Sequence, residues 1–283
     1  MPTWDFDTPG PLRLALEIPI GQVEIESVEG STTHVDLDGS ADVRDLIEAA
    51  RVELGQRGAG QELRVEVRRR SGFFISFGHQ PELRLRIACP VGAEISVESK
   101  SADVRTRGRS GAVDIKTASG DVSLDEVAGD ARVKTASGDV SLWEGHGLTQ
   151  VQSASGDVAL QRVHGEAIVQ AVSGDVWIRE ADSSVRANTV SGDQRLEAVQ
   201  DGNVESQSVS GDVLIGIRRG SRVFVDANTI SGDTSSELEL TDAPASGDEP
   251  AADAPTVEVR AKTVSGDIAI IRAAAPAPKP SIG

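Results

Sequence analysis

The residues with the clearest capacity for chemistry are aspartates that recur in Ser-Gly-Asp triplets through the second half of the chain. The first triplets repeat every 18 residues, and the later ones repeat at looser spacing. The set is Ser119-Gly120-Asp121, Ser137-Gly138-Asp139, Ser155-Gly156-Asp157, Ser173-Gly174-Asp175, Ser191-Gly192-Asp193, Ser210-Gly211-Asp212, Ser231-Gly232-Asp233 and Ser265-Gly266-Asp267. Carboxylates at a fixed period raise the possibility of calcium, because Gly/Asp repeats form calcium-binding β-rolls.

The position of the aspartate within each triplet disfavours calcium. In the β-roll motif Gly-Gly-x-Gly-x-Asp-x-U-x the Asp follows a Gly by two residues, whereas here it follows the Gly directly. Most half-turns, such as HGLTQV at 146–151, contain no Asp, so the six to eight oxygens that Ca²⁺ needs are lacking. We expect instead a structural ladder of turns, in which each carboxylate accepts hydrogen bonds from backbone N–H groups or Ser hydroxyls.

Two histidines form a second candidate for chemistry. His146 and His164 are also 18 residues apart, with Glu144 and Glu166 nearby, so the two rings should stack on adjacent repeats. Imidazoles and carboxylates are zinc ligands. Both histidines adjoin turn glycines, however, and the sequence places no third ligand. We therefore predict no metal site and no cofactor.

Aromatic and basic residues mark two candidate contact surfaces. Segment 68–79 combines three arginines with three phenylalanines: Arg68, Arg69, Arg70, Phe73, Phe74 and Phe77. It would either touch an anionic membrane surface or a partner groove, or form a hairpin whose rings cover the open end of the fold. Trp143 and Trp177 fall at outward-facing positions two repeats apart, either as a platform for sugar or protein or as ordinary isolated surface residues.

These residues are positioned by an 18-residue unit that reads as two short strands separated by two Gly turns. Val122 and Leu124 point to one face and Asp121 and Ser123 to the other, and like residues recur in later copies. Successive coils of this kind hydrogen-bond as parallel strands about 4.8 Å apart. A propeller blade needs about 40 residues, and the 18-residue unit is too short to form one. The pattern predicts an all-β fold, a single-stack parallel β-solenoid of about 18-residue coils.

Residues 1–100 are predicted to form an irregular N-terminal β-region that caps the solenoid. GQVEIESVEG at 21–30 has the spacing of a first coil, and ELRVEVRRR and ELRLRIACP alternate as two strands of a hairpin. One short helix of about three turns is expected between the first coil and these two strands, capped by Asp42 and ended by Gly55. Its helical spacing is carried by Val43, Leu46, Ile47, Ala50 and Leu54.

The repeat array itself spans residues 101–272. Its last interval holds an acidic stretch rich in Pro and Ala, which we expect to be a disordered insertion at 241–256. Residues 273–283 are expected to form a flexible tail.

Composition narrows the possible functions. The 283 residues carry 45 Asp and Glu against 28 Lys and Arg, a net charge of −17, which opposes binding to nucleic acid. Cys89 is the only cysteine, so an intrachain disulfide and a CxxC metal site are excluded. The sequence shows neither a secretory signal nor an apolar run of about 20 residues. We expect a cytoplasmic protein, with peripheral membrane contact through 68–79 as the alternative.

Motifs of catalysis are missing from the sequence. It contains no G-x-S-x-G, H-E-x-x-H or P-loop pattern, and no nucleophile with a base and an orienting residue. Polysaccharide-active β-helices build a cleft from long loops, whereas these coils offer none before residue 239. We predict that the protein is not an enzyme.

The T-A-S-G-D-V-x-L series resembles the bacterial putative-adhesin family of β-strand-repeat domains of unknown function, whose repeats carry an S-G-D-V signature. The resemblance covers about residues 12–271, including CPVGAEISV at 89–97. It implies a β-solenoid, with some relatives linked to envelope stress or surface attachment, and it supplies no catalytic residues. The chain departs from an adhesin in showing no export signal or anchor.

Three functional hypotheses follow. The first is a non-catalytic solenoid that acts as a scaffold or protein-interaction module, either free or associated with the envelope. Its protein partner and oligomeric state are not defined by the sequence. The second is a surface adhesin or carbohydrate-binding protein. The third is a polysaccharide-active β-helix enzyme.

Overall fold

The computed structural model describes residues 2–67, 83–238 and 254–273, and these form the predicted parallel β-solenoid. Strands of successive coils pair in parallel at the period of the sequence repeat, so that Val122 pairs with Val140 and Val140 with Val158. The all-β fold class is therefore confirmed.

The described part of the N-terminal region contains seven strands and one short helical segment. They are β1 (Thr3–Asp7), β2 (Leu12–Val28), β3 (Thr32–Gly39), a 3-10 turn (Ala41–Val43), α1 (Arg44–Glu48), β4 (Arg51–Arg57), β5 (Gly60–Glu66), β6 (Leu83–Pro90) and β7 (Glu94–Arg107).

The repeat array contributes two strands to each regular coil. They are β8 (Arg109–Ser110), β9 (Val113–Ser119), β10 (Val122–Val127), β11 (Ala131–Ser137), β12 (Val140–Gly145), β13 (Thr149–Ser155), β14 (Val158–Val163), β15 (Ala167–Ser173), β16 (Val176–Ala181), β17 (Val185–Ser191), β18 (Gln194–Val199), β19 (Gly202–Gln207), β20 (Val213–Ile217), β21 (Arg222–Ser231), β22 (Thr234–Ser236), β23 (Thr256–Ser265) and β24 (Ile268–Arg272).

The strands form two facing walls. Wall A contains the strands that lead into each Ser-Gly-Asp turn, such as β9, β11 and β13, and wall B contains the strands that follow it, such as β10, β12 and β14. Strands β2 and β7 are long enough to run through both walls. Every coil therefore places its Ser-Gly-Asp turn at the same corner of the solenoid.

The core is a thin layer of aliphatic side chains between the walls. Val122 and Leu124 from wall B and Val133 from wall A are at most 3% exposed. Burying each such side chain is worth about 1.5–3 kcal/mol, and facing sheets lie roughly 10 Å apart. Because that gap suits branched aliphatic residues rather than large rings, the low aromatic content of 3% is consistent with the fold.

At the N-terminal end, the spatial order of the coils departs from their order in the chain. Strand β2 pairs with β7 on one side and with β5 and β6 on the other, so β5 and β6 form the coil outside it. Strands β3 and β4 then add antiparallel to β6 and β5, and β1 adds to β3. Antiparallel strands thus cover the edges of the outer coil, which would otherwise be free to pair with other chains.

The C-terminal end shows the same inversion. Strand β23 lies between β19 and β21, and β24 lies between β20 and β22. The coil formed by 256–272 is therefore inserted beneath the coil formed by 222–236, which is the outermost one. The order of stacking therefore departs from the order of the chain at this end.

The predicted three-turn helix is also wrong in its length. Only Arg44–Glu48 are α-helical, and the preceding 3-10 turn has no side-chain hydrogen bond at its cap, so Asp42 does not cap it. Leu54 and Gly55 lie in β4, where Leu54 pairs with Leu63 of β5. Residues 51–57 alternate as a strand does, and they find a partner in β5, which satisfies the backbone groups along one edge of the segment. This pairing outweighs the helical spacing.

The predicted hairpin of β5 and β6 is not formed by the residues described. Strand β5 pairs with β2 and β4, whereas β6 pairs with β2 and β3 in the other wall. The segment that joins them, including residues 68–79, lies outside the described residues, as do most of the 241–256 insertion and nearly all of the tail. Thr256, the last residue of the predicted insertion, belongs to β23.

Candidate functional site

The aspartates of the Ser-Gly-Asp turns join consecutive coils. The backbone N–H of Asp139 donates to Oδ1 of Asp121 at 2.9 Å, and that of Asp157 donates to Oδ1 of Asp139 at 2.9 Å. The same bond recurs at 2.8–3.0 Å from Asp103 at the start of the array to Asp233 at its end. Each carboxylate thus caps the turn of the next coil, and the exposed acidic row forms a continuous rail, termed here the Asp rail.

The two histidines meet at the opposite corner of the coils. Their rings are stacked, with centroids 4.8 Å apart and an interplanar angle of 16°. Oε1 of Glu144 lies 2.9 Å from Nε2 of His164 and 4.0 Å from Nε2 of His146. Nδ1 of His164 lies 2.7 Å from Oδ2 of Asp182, and Nε2 of His146 lies 3.2 Å from Oε1 of Glu126.

This arrangement shifts the ionisation of two groups. The pKa of Glu144 is lowered, chiefly by its hydrogen bond with His164 and further by the charge of Arg162. The pKa of His164 is raised, chiefly by its hydrogen bond with Glu144 and further by the bond with Asp182. A positive charge on the imidazole is favoured because carboxylates contact both of its ring nitrogens.

A row of exposed aliphatic side chains runs beside the Asp rail. In spatial order it consists of Val172, Val190, Val209, Val264 and Ile230, which are between 45% and 82% exposed. Each residue immediately precedes the Ser of its triplet, and those serines pair from coil to coil. At about 4.8 Å per coil the row is roughly 19 Å long. We call it the aliphatic ridge.

The aliphatic ridge was not among the predicted contact surfaces, although the sequence carries a signal for it. In the earlier copies the residue before each Ser is Ala118, Ala136 or Ala154, and from Val172 onward it is Val or Ile. An outward-pointing side chain does not pack in the core, so core packing does not explain the change from Ala to Val or Ile. The change therefore distinguishes the second half of the array from the first.

Polar residues border the aliphatic ridge on both sides. Two residues earlier on the same face of wall A lie exposed or half-buried polar side chains, among them Gln170, Asn188 and Gln207. Three residues later, round the turn, lie the exposed aspartates of the rail, including Asp175, Asp193 and Asp212. The surface is therefore an apolar stripe with a negatively charged margin.

The two tryptophans do not form a shared platform in the described structure. Trp143 is 54% exposed, whereas Trp177 is half-buried and pairs in register with Ala159 and Arg195. Trp143 falls at the position that the pairing of β12 skips, between Leu142 and Glu144. The two rings thus belong to different columns of the coil, and Trp143 lies beside the histidine group.

The remaining predicted contact surface, formed by Arg68, Arg69, Arg70, Phe73, Phe74 and Phe77, lies outside the described residues. Within the described ranges, no helix has the length and apolar character needed to cross a membrane. Peripheral contact through 68–79 stays a prediction.

Solved structures that resemble this chain do so only distantly. Similar solved structures include a putative adhesin from Bacteroides fragilis, at 16% identity over 95% of each chain with a TM-score of 0.43. A putative cell adhesion protein from Clostridium sporogenes is 11% identical over 96% of this chain and 99% of its own, with a TM-score of 0.29. A putative lipid binding protein from Parabacteroides distasonis is 13% identical over 96% of each chain, with a TM-score of 0.41. Similarity at this level carries no inference about function.

No curated protein matches the chain. The family comparison is more extensive, because a single family model matches residues 15–271 and so includes the N-terminal strands as well as the repeat array. This chain belongs to the Toastrack DUF4097 family.

Proposed function

We propose that this solenoid is a protein-interaction scaffold that binds its partner along the aliphatic ridge. The observation that carries the proposal is the row of Val172, Val190, Val209, Val264 and Ile230 on consecutive coils, held in register by the pairing of the walls. Isolated exposed valines are ordinary, but a continuous apolar row on a rigid surface is typical of a binding site. The role is one of binding and needs no catalytic step.

Charge selects the kind of partner. The aliphatic ridge is bordered by the Asp rail, and the whole chain carries a net charge of −17. An anionic membrane surface would be repelled by this margin, and a second copy would bring two acidic rails together. A segment that presents apolar side chains and Lys or Arg on one face matches both features. We infer that the partner contributes such a cationic, amphipathic segment.

The proposal is tested with synthetic peptides as probes. A Leu/Lys amphipathic peptide should bind the full chain, measured by fluorescence anisotropy, and a Leu/Glu peptide of the same pattern should not. The double variant V190S/V209S should weaken binding by roughly tenfold or more, because two apolar contacts are lost. The matched control is A136S/A154S, which changes the same column in the other half of the array and should leave binding unchanged.

Two results would overturn the proposal. One is equal binding of the Lys and Glu peptides, and the other is equal binding by V190S/V209S and A136S/A154S. In cells, a photo-crosslinking residue at position 190 identifies the natural partner, whose captured segment must be both basic and apolar. Cell fractionation in the same experiment tests the predicted cytoplasmic location.

A carbohydrate-binding or adhesin role is the second candidate, and the observation in its favour is the exposure of Trp143. An aromatic ring on a flat β-surface is a common contact for sugar rings. Quenching of tryptophan fluorescence by a panel of oligosaccharides, abolished in W143A, would support this role over the scaffold. The polysaccharide-active alternative requires turnover of a polymer, which the same panel measures.

A further inference from the structure

The histidine group at the corner opposite the aliphatic ridge brings together three groups of a kind that bind metal ions. One ligand atom each from Glu144, His146 and His164 lies within 4.8 Å of the others, and this is the one such group of three found among the residues described. The sequence alone does not place a third ligand beside the two histidines. The third ligand, Glu144, comes from the same strand end as His146 and lies directly against His164.

His164 lies between two carboxylates, with Asp182 at its Nδ1 and Glu144 at its Nε2. Asp182 accepts a hydrogen bond from Nδ1, so in the neutral ring the proton is on Nδ1 and Nε2 carries a lone pair. That lone pair would face Oε1 of Glu144 at 2.9 Å, and two acceptors at this distance repel each other. Either a second proton on the ring or a metal ion between the two atoms removes the repulsion.

We propose that Glu144, His146 and His164 bind one divalent transition-metal ion of the Zn²⁺ type. A carboxylate with two imidazoles is a donor set that Zn²⁺ uses when it keeps a fourth position for water. Asp182 holds Nδ1 of His164 and so orients the ligand, which is the usual arrangement of a carboxylate behind a metal-binding histidine. Glu126, beside His146, adds negative charge.

Binding requires a small rearrangement of exposed side chains. Ligand atoms on a tetrahedral Zn²⁺ are roughly 3.3 Å apart, as Zn–N bonds of 2.0–2.1 Å dictate. The 4.0 Å between Glu144 and His146 must therefore shorten by about 0.7 Å, and the widest separation in the group, at most 4.8 Å, by up to about 1.5 Å. The 2.9 Å between Glu144 and His164 must widen by about 0.4 Å. The side chain of His146 is 35% exposed and has room to rotate. Arg162 lies 3.7 Å from Oε1 of Glu144, and it also contacts Glu180 at 3.3 Å, which can keep it when the metal takes Glu144.

The metal alone is the probe. Titration of the full, tag-free chain with ZnCl₂ in a calorimeter should give one ion per chain, and CoCl₂ should give the intense visible absorption of low-coordinate Co²⁺. Co²⁺ should also quench Trp143, which adjoins Glu144. H164A and E144Q should abolish the Co²⁺ absorption, and D182N should weaken affinity by roughly 10–100-fold, as loss of an outer-shell partner does.

The matched control is H34A. His34 is also an exposed histidine bound to a carboxylate, with Nδ1 at 2.7 Å from Asp5, but among the described residues no second imidazole stacks on it. H34A should bind Co²⁺ as the unaltered chain does. Circular dichroism of each variant distinguishes loss of the site from loss of the fold, and E144Q retains the shape of the side chain if H164A does not fold. Unchanged Co²⁺ absorption in folded E144Q, or no binding by the unaltered chain, would overturn the proposal.

Discussion

Replacing Gly156 by Ala tests the tight stacking of the Ser-Gly-Asp turns. Gly156 has a φ of +118°, and a Cβ built there would lie 2.3 Å from the carbonyl oxygen of Gly138 in the preceding coil. Gly30 provides a matched control, because its φ is +134° and an added Cβ would meet nothing within 4 Å. G30A therefore carries the conformational strain alone, whereas G156A carries strain and a clash.

The two costs are separable. A non-Gly residue in this region of φ costs about 1–3 kcal/mol, and both variants share that cost. To relieve the clash, the coils must separate by roughly 1 Å, since ordinary carbon contacts begin near 3.4 Å. The separation stretches the bond from Val140 N–H to the carbonyl of Asp157 and the bond from Asp157 N–H to Asp139, both 2.9 Å. Losing them costs about 0.5–1.5 kcal/mol each.

We therefore expect G156A to lower the free energy of unfolding by about 2–6 kcal/mol and G30A by about 1–3 kcal/mol. Urea unfolding followed by circular dichroism measures both values, and tryptophan fluorescence reports locally, because Trp143 and Trp177 flank the altered coil in wall B. Equal losses in the two variants would refute the clash, and an unperturbed G156A would refute the turn geometry itself.

Three further predictions concern charge, pH and thiol reactivity. D157N should leave stability unchanged or raise it by up to about 1 kcal/mol, because its Oδ1 still accepts from Asp175 N–H (2.8 Å) while a like charge is removed. D157A should cost about 1 kcal/mol in low-salt urea unfolding, and equal losses in the two variants would contradict this account. The pKa of Glu62 is lowered from its ordinary 4.5, chiefly by its hydrogen bond with Arg64, so its stabilisation is present above that pH and is lost as pH falls through the lowered value. Unfolding of E62Q should lack that acid-dependent part, and identical pH profiles would disprove it. Burial raises the pKa of Cys89 to about 12, so DTNB should react only after denaturation, and rapid reaction in native buffer would count against the buried thiol.

Much of the repeat array was predictable because its information is local. Alternation at Val122 and Leu124 identifies the inward face, and the 18-residue period identifies the partner of each strand. The helix predicted around residues 43–55 was wrong in length because the contact that decides the structure there is not local. Helical spacing over so short a stretch does not exclude a strand, and β5 supplies a pairing partner for β4 that only the folded chain brings near.

The candidate sites likewise have features that the sequence predicts and features that only the folded chain shows. The stack of His146 on His164 follows from their spacing, and the rings do stack. The approach of Glu144 to His164, and the bond of His164 with Asp182, depend on how side chains turn at the end of each strand. The aliphatic ridge can be recognised only from the structure of the turn, which shows that the side chain before each Ser points outward.

The sequence by itself determined the coil, its length, its inward columns and the glycine turns, because each depends on residues a few positions apart and on contacts between neighbouring copies. Tertiary structure alone decided which coil lies next to which at the two ends. Coils built on the same Val and Leu columns present nearly identical hydrogen-bonding edges, so a repeat does not distinguish one neighbour from another. The connections and the antiparallel strands β1, β3 and β4 make that choice at the N-terminal end, and insertion of β23 and β24 beneath β21 and β22 makes it at the other.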